Sequence, residues 1–95
     1  SGGSMAFRLQ YLPGAARDIR QLPAPVAERA RRGLERLAES PRLGKPLHGE
    51  LRPFWSYRVG DYRVVYEIRD EELFVLVVML GHRREIYERA RRRRG

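Results

Sequence analysis

The sequence predicts an α+β domain with the order β-α-α-β-β-β-α, in which a small, antiparallel-rich sheet carries an N-terminal helical hairpin on one face. Three observations predict it. Residues 14–39 hold two stretches with apolar side chains at helical spacing, Gly60-Asp61 separates two stretches of strand character, and residues 73–80 (LFVLVVML) are almost wholly apolar.

Phe7, Leu9 and Tyr11 alternate with Arg8 and Gln10, which is the period of a half-buried edge strand, and Pro13 and Gly14 end it. A short helix is expected over residues 14–21, with Ala15, Ile19 and Leu22 at helical spacing. Pro25 suits the first turn of a second helix, because the N–H that proline lacks is one a helix start leaves unbonded anyway. That helix runs to about Glu39, with Val26, Ala30, Leu34 and Leu37 as its buried stripe and Arg29, Arg31, Arg32, Glu35 and Arg36 around it. Residues 40–53, broken by Pro41, Gly44, Pro46, Gly49 and Pro53, form the longest irregular stretch. Strands are expected over residues 54–59, 62–69 and 73–80. In the second, Val64, Tyr66 and Ile68 share one face, and Arg63, Val65 and Glu67 the other. The third is apolar enough to be central and buried on both faces. Gly81 ends it, and residues 85–93 form a short basic helix. With the hairpin on one face of the sheet, only this last helix is left for the other. That face should stay partly open and basic, a surface for docking.

The length allows one domain, over residues 5–95, with residues 1–4 read as an expression scar ahead of Met5. No apolar run approaches the ~20 residues of a membrane span, and no secretory pattern is visible. There is no cysteine, which excludes disulfides and thiolate chemistry. A cytoplasmic protein is expected. The net charge is +8, and every cation except Lys45 is arginine. Codon bias in a GC-rich genome favours arginine, and so does phosphate recognition, since a planar guanidinium holds two phosphate oxygens at once. A nucleic-acid or acidic-protein partner follows from the charge.

No Walker loop, dinucleotide-binding glycine pattern or nucleophile elbow is present. His48 and His82 are far apart and lack ligand-type neighbours, so neither a metal nor another cofactor is expected. The sheet would instead gather a basic cluster: Arg58, Arg63, then Gly81-His82-Arg83-Arg84, with Tyr87 close by. Metal-free RNA cleavage needs the 2′-hydroxyl to attack the adjacent phosphate, the added charge to be offset, and the leaving oxygen to gain a proton. Arginines suit the second task as fixed donors aimed at developing charge, but they carry protons poorly. His82 is the better general acid or base on chemical grounds. Tyr87 suits orienting or stacking a base, or a part in proton transfer. Lys45, Arg84 and Arg91 are candidate RNA contacts.

Each residue has a plainer reading as well. Arg58 and Arg63 suit solvated sheet positions, Arg83 and His82 a turn, and Tyr87 packing on Tyr66 or the sheet edge. Phe54, Trp55, Tyr62 and Tyr66 are read as packing residues, and the arginines at 91–94 as a solvated helix end.

Tyr62-Arg63-Val64-Val65-Tyr66, the apolar strand after it, and Gly81-His82-Arg83-Arg84-Glu85-Ile86-Tyr87 resemble the RelE branch of the RelE/ParE toxin superfamily. So do Ser40-Pro41-Arg42-Leu43-Gly44-Lys45-Pro46-Leu47, Gly49-Glu50-Leu51, and Trp55 through Tyr57-Arg58-Val59-Gly60-Asp61. The resemblance covers essentially all of residues 5–92. It implies the toxin of a type II toxin–antitoxin system, a metal-independent endoribonuclease that enters the ribosomal A site and cleaves mRNA there. It implies Arg58, Arg63, Arg83 and Tyr87 as working residues, a cognate antitoxin as inhibitor, and operator DNA bound through that antitoxin. The family's enterobacterial members carry a lysine where this chain has Ser56, which leaves the proton acceptor open, with His82 as a possible substitute. Two other functions share the fold: a ParE-type inhibitor of DNA gyrase, and an inactive toxin-fold protein serving in antitoxin binding and autoregulation.

Overall fold

The computed structural model describes residues 6–94, of 93 and 94 the backbone only. The residues read as a scar and the start at Met5 lie outside it. Strand β1 (Arg8–Tyr11) is followed by helices α1 (Pro13–Arg20) and α2 (Ala24–Glu39), then β2 (Lys45–Pro46), β3 (Trp55–Val59), β4 (Tyr62–Arg69), β5 (Phe74–His82) and α3 (Ile86–Arg94). Pro13 opens α1 where a strand stop was expected, because an N-terminal helical position needs no N–H from it.

The sheet order is β1-β5-β4-β3-β2. β1 runs parallel to β5 at one edge, and the other neighbours are antiparallel. The stretch expected to be irregular contains β2, a two-residue strand paired as Lys45↔Ser56 and Pro46↔Trp55. Pro46 is tolerated there because β2 is the outer edge, where a missing N–H breaks no inner ladder.

Two cores sandwich the sheet. On one face α1 and α2 bring Ala15, Ala30, Leu34 and Leu37 onto Val59, Val64, Tyr66, Val75, Val77 and Leu80. On the other, Ile86 and Ala90 of α3 and Leu51 of a short 3-10 turn cover Val65, Val78 and Met79. The register of β4 against β5 slips between Val65↔Met79 and Tyr66↔Val77, so Val78 is an extra residue and Val78 and Met79 both face the second core. Such a bulge reverses the facing of every later side chain in its strand.

Two polar devices hold the connections. The fully buried Tyr66 donates its hydroxyl to the Pro41 carbonyl at 2.6 Å and accepts from the Gly44 N–H at 3.2 Å, tying the 40s segment to the sheet. Burial pushes its phenol up to about 12, so the neutral form serves. At the far side β1 ends opposite Val77, and Asp18 of α1 takes over: its carboxylate accepts from the Leu80 N–H at 3.1 Å and pairs with Arg89 of α3 at 3.0 Å.

Candidate active site

Alternation along β3 and β4 puts Ser56, Arg58 and Arg63 on the α3 face of the sheet. Arg58 and Arg63 are direct cross-strand partners, and Arg63 pairs on its other side with Gly81. Lys45 lies opposite Ser56 one strand further out. Above this row the first turn of α3 brings in Tyr87. A Cβ at Gly81 would lie 2.7 Å from the Arg89 guanidinium and 3.1 Å from Ile86 Cδ1, so the bare glycine leaves room for the ends of these two α3 side chains.

The result is a cleft of about 530 Å³ walled by the 43–48 segment on one side and by Tyr57, Arg58, Arg63 and Tyr87 on the other. Its floor is the buried Ser56, whose hydroxyl is hydrogen-bonded to the Tyr87 hydroxyl at 3.0 Å. The Arg58 guanidinium donates to the Gly60 carbonyl at 3.3 Å, and that of Arg63 to the Tyr62 carbonyl at 3.3 Å. No acidic side chain lines the cleft, and among the described residues Lys45, Arg58 and Arg63 have no carboxylate partner. Like charges placed directly across a strand pair repel. Left unneutralised beside two hydroxyls, they are chemically suited to an anion such as a phosphodiester.

The structure thus gathers Lys45, Arg58, Arg63 and Tyr87. It places His82 elsewhere. The bulge in β5 turns Gly81 toward the cleft and His82 toward the opposite face, where its ring meets Tyr62 edge-on at 5.5 Å. A proton-transfer role for His82 in this cleft does not fit that position. Arg83 and Arg84 are exposed in the turn after β5, outside the cleft wall, and the Arg83 N–H fastens that turn to the Asp61 carbonyl at 2.8 Å. Arg91 is ion-paired with Glu50 at 3.0 Å across the second core's rim. Tyr87 packs on the second core, not on Tyr66, which lies beneath the other face. Among the polar lining residues Ser56, Tyr57 and His48 carried no assigned role in the sequence. Ser56 was legible as lying two residues from Arg58 and so on its face. His48 sits in the irregular segment, where no period assigns a direction.

A mixed sheet with helices on both faces and an unneutralised basic cleft beside a tyrosine fits the small basic toxins of type II toxin–antitoxin systems, and the comparisons with known proteins show that class. A family model described as the ParE toxin of the type II toxin–antitoxin system parDE matches residues 9–87. Toxin RelG of Mycobacterium tuberculosis is 39% identical over 89 residues, covering 90% of this chain and all of that one. The mRNA interferase toxin RelE of Escherichia coli is 32% identical over 93 residues, covering 94% and 98%. Among solved structures, a free-state E. coli RelE arginine variant superposes with TM-score 0.76 at 29% identity, covering 93% of this chain and 97% of that one. A chain of the toxin–antitoxin complex RelBE2 from M. tuberculosis gives TM-score 0.76 at 32% identity, covering 81% and 91%. The chain belongs to the RelE/ParE toxin family and is a RelE-type member of it.

Proposed function

We propose that this toxin is a ribosome-dependent mRNA endoribonuclease that cleaves in the A site without a metal ion and so arrests translation. The observation that carries the reading is the facing pair Arg58 and Arg63, unneutralised beside the Ser56–Tyr87 hydroxyls. Fixed guanidinium donors offset the charge that builds on a phosphorane, and removing one such donor typically costs about 10²–10³ in rate. In this reading Arg83 and Arg84 add positive charge from their exposed turn outside the cleft wall, Lys45 holds the flanking backbone, and Tyr87 orients the scissile nucleotide. The E. coli relative that bears the name mRNA interferase spans nearly the whole chain, which supports the same chemistry here. The small cleft grips little of a substrate, so positioning falls largely to the ribosome. Solved RelE–RelB complexes among the structural neighbours support a cognate antitoxin as partner, an acidic or amphipathic segment that covers the positive face or displaces α3. Operator DNA would be bound through that antitoxin, and mRNA on ribosomes places the protein in the cytoplasm.

The test is cleavage of a defined mRNA, with and without programmed ribosomes, mapped by primer extension. Cuts within the A-site codon only when ribosomes are present are expected, and folded Arg83→Ala protein should cut orders of magnitude more slowly. Folded wild-type protein that cuts in neither condition would refute the reading and make a gyrase supercoiling assay the next measurement.

A further inference from the structure

We propose that His48 is the general base of this cleft. The inference rests on the ribonuclease reading and supplies the group that reading lacks. Cleavage by the 2′-hydroxyl requires a proton acceptor at that oxygen, and the cleft's other titratable side chains are not of the types that ordinarily serve as one near neutral pH. They are Lys45 from β2, Arg58 from β3, Arg63 from β4, and Tyr57 and Tyr87 from β3 and α3. Arginine stays protonated in proteins, and lysine and tyrosine ordinarily titrate near 10. Glu50, two residues on, is held by Arg91 at 3.0 Å and is not among the residues lining the cleft. His82 lies against Tyr62 on the reverse face of the sheet. His48 is exposed and lines the same cleft as Arg58, Arg63 and Tyr87, and an imidazole is the one side chain that ordinarily exchanges its proton around neutrality.

The segment that carries it is anchored on both sides. Leu47 donates its N–H to the Phe54 carbonyl at 2.9 Å, and the His48 carbonyl accepts from the Leu51 N–H at 3.2 Å. Leu47 itself packs on the second core. The backbone that carries the imidazole is therefore held in place in the wall of the cleft that Arg58 and Arg63 also line. In the reaction the O2′–P bond forms as the P–O5′ bond breaks. The 2′-hydroxyl proton passes to the imidazole, the departing 5′-oxygen takes a proton from water, and the imidazolium returns its proton to the hydroxide so formed. The products are a 2′,3′-cyclic phosphate and a 5′-hydroxyl.

The experiment is single-turnover cleavage of a defined mRNA on programmed ribosomes between pH 5.5 and 8.5, for wild type, His48→Gln, His48→Ala and Arg63→Ala, each checked for folding by circular dichroism. Wild type should lose rate toward acid pH as its base is protonated. His48→Gln should be slower by about 10²–10⁴ at neutral pH, the usual contribution of a positioned acid or base, and should lose the acid limb. Free imidazole should restore part of the rate to His48→Ala and none to Arg63→Ala. A His48→Gln rate within threefold of wild type with the acid limb kept would overturn the assignment and leave the ribonuclease reading standing. Wild-type protein that cleaves nothing on ribosomes would overturn both.

Discussion

Replacing Asp18 by alanine tests how the end of the sheet is held. Past Val77, strand β5 has lost its β1 neighbour, so the Leu80 N–H faces no strand; Leu80 is 1% exposed and water cannot serve it. The Asp18 carboxylate is the partner for that N–H at 3.1 Å and binds Arg89 through both oxygens at 3.0 and 3.2 Å, joining α1, β5 and α3. A buried donor stripped of its acceptor costs about 1–3 kcal/mol. The Asp18–Arg89 pair is only partly shielded, with the arginine side chain 35% exposed, and contributes up to about 1 kcal/mol more. Together the loss is about 1–4 kcal/mol out of the ~5–13 kcal/mol available to a domain of this size. At roughly 4–8 °C per kcal/mol, the melting temperature should fall by about 4–30 °C. Asp18→Asn keeps an acceptor for Leu80 and loses only the charge, so it should cost no more than about 1 kcal/mol. Thermal and urea unfolding of both variants decide the matter. If Asp18→Ala stays within about 0.5 kcal/mol of wild type, or matches Asp18→Asn, the capping argument is wrong.

Three further outcomes are expected. Arg58→Ser removes the repulsion with Arg63, so it should unfold at slightly higher urea, by up to about 0.5 kcal/mol, while cleavage falls at least about 100-fold; lower stability with unchanged cleavage would show that the pair serves the fold. Tyr66 keeps its proton in the folded state up to about 12, whereas the unfolded phenol titrates near 10. Its contribution is whole below pH ~10 and is lost as pH rises to about 12, at most about 2–3 kcal/mol, so Tyr66→Phe should be less stable at pH 7 by about 1–2 kcal/mol and converge on wild type in alkaline urea titrations. In Gly44→Ala the new Cβ would sit 2.5 Å from both the Ser56 carbonyl and the Tyr66 hydroxyl, so the 43–48 wall must lift; a loss of at least about 2 kcal/mol and weaker cleavage are expected, read by unfolding and by the ribosome assay.

Local pattern determined much of this protein. Helical spacing in residues 14–39, the Gly60-Asp61 turn and the unbroken apolar run after Leu73 are short-range signals, and each produced the expected element because its apolar side chains have one way to be buried. Alternation likewise put Arg58 and Arg63 on one face, since both strands are tied across a two-residue turn. Tertiary structure alone decided the rest. β2 exists only because β3 offers its edge to Lys45 and Pro46. One bulged residue at Val78 decided that Gly81 and not His82 faces the cleft, a choice no periodicity records because the bulge answers to packing against α3 and the 3-10 turn at Leu51. The same long-range packing brought His48, from a segment with no period at all, to the wall beside Tyr87.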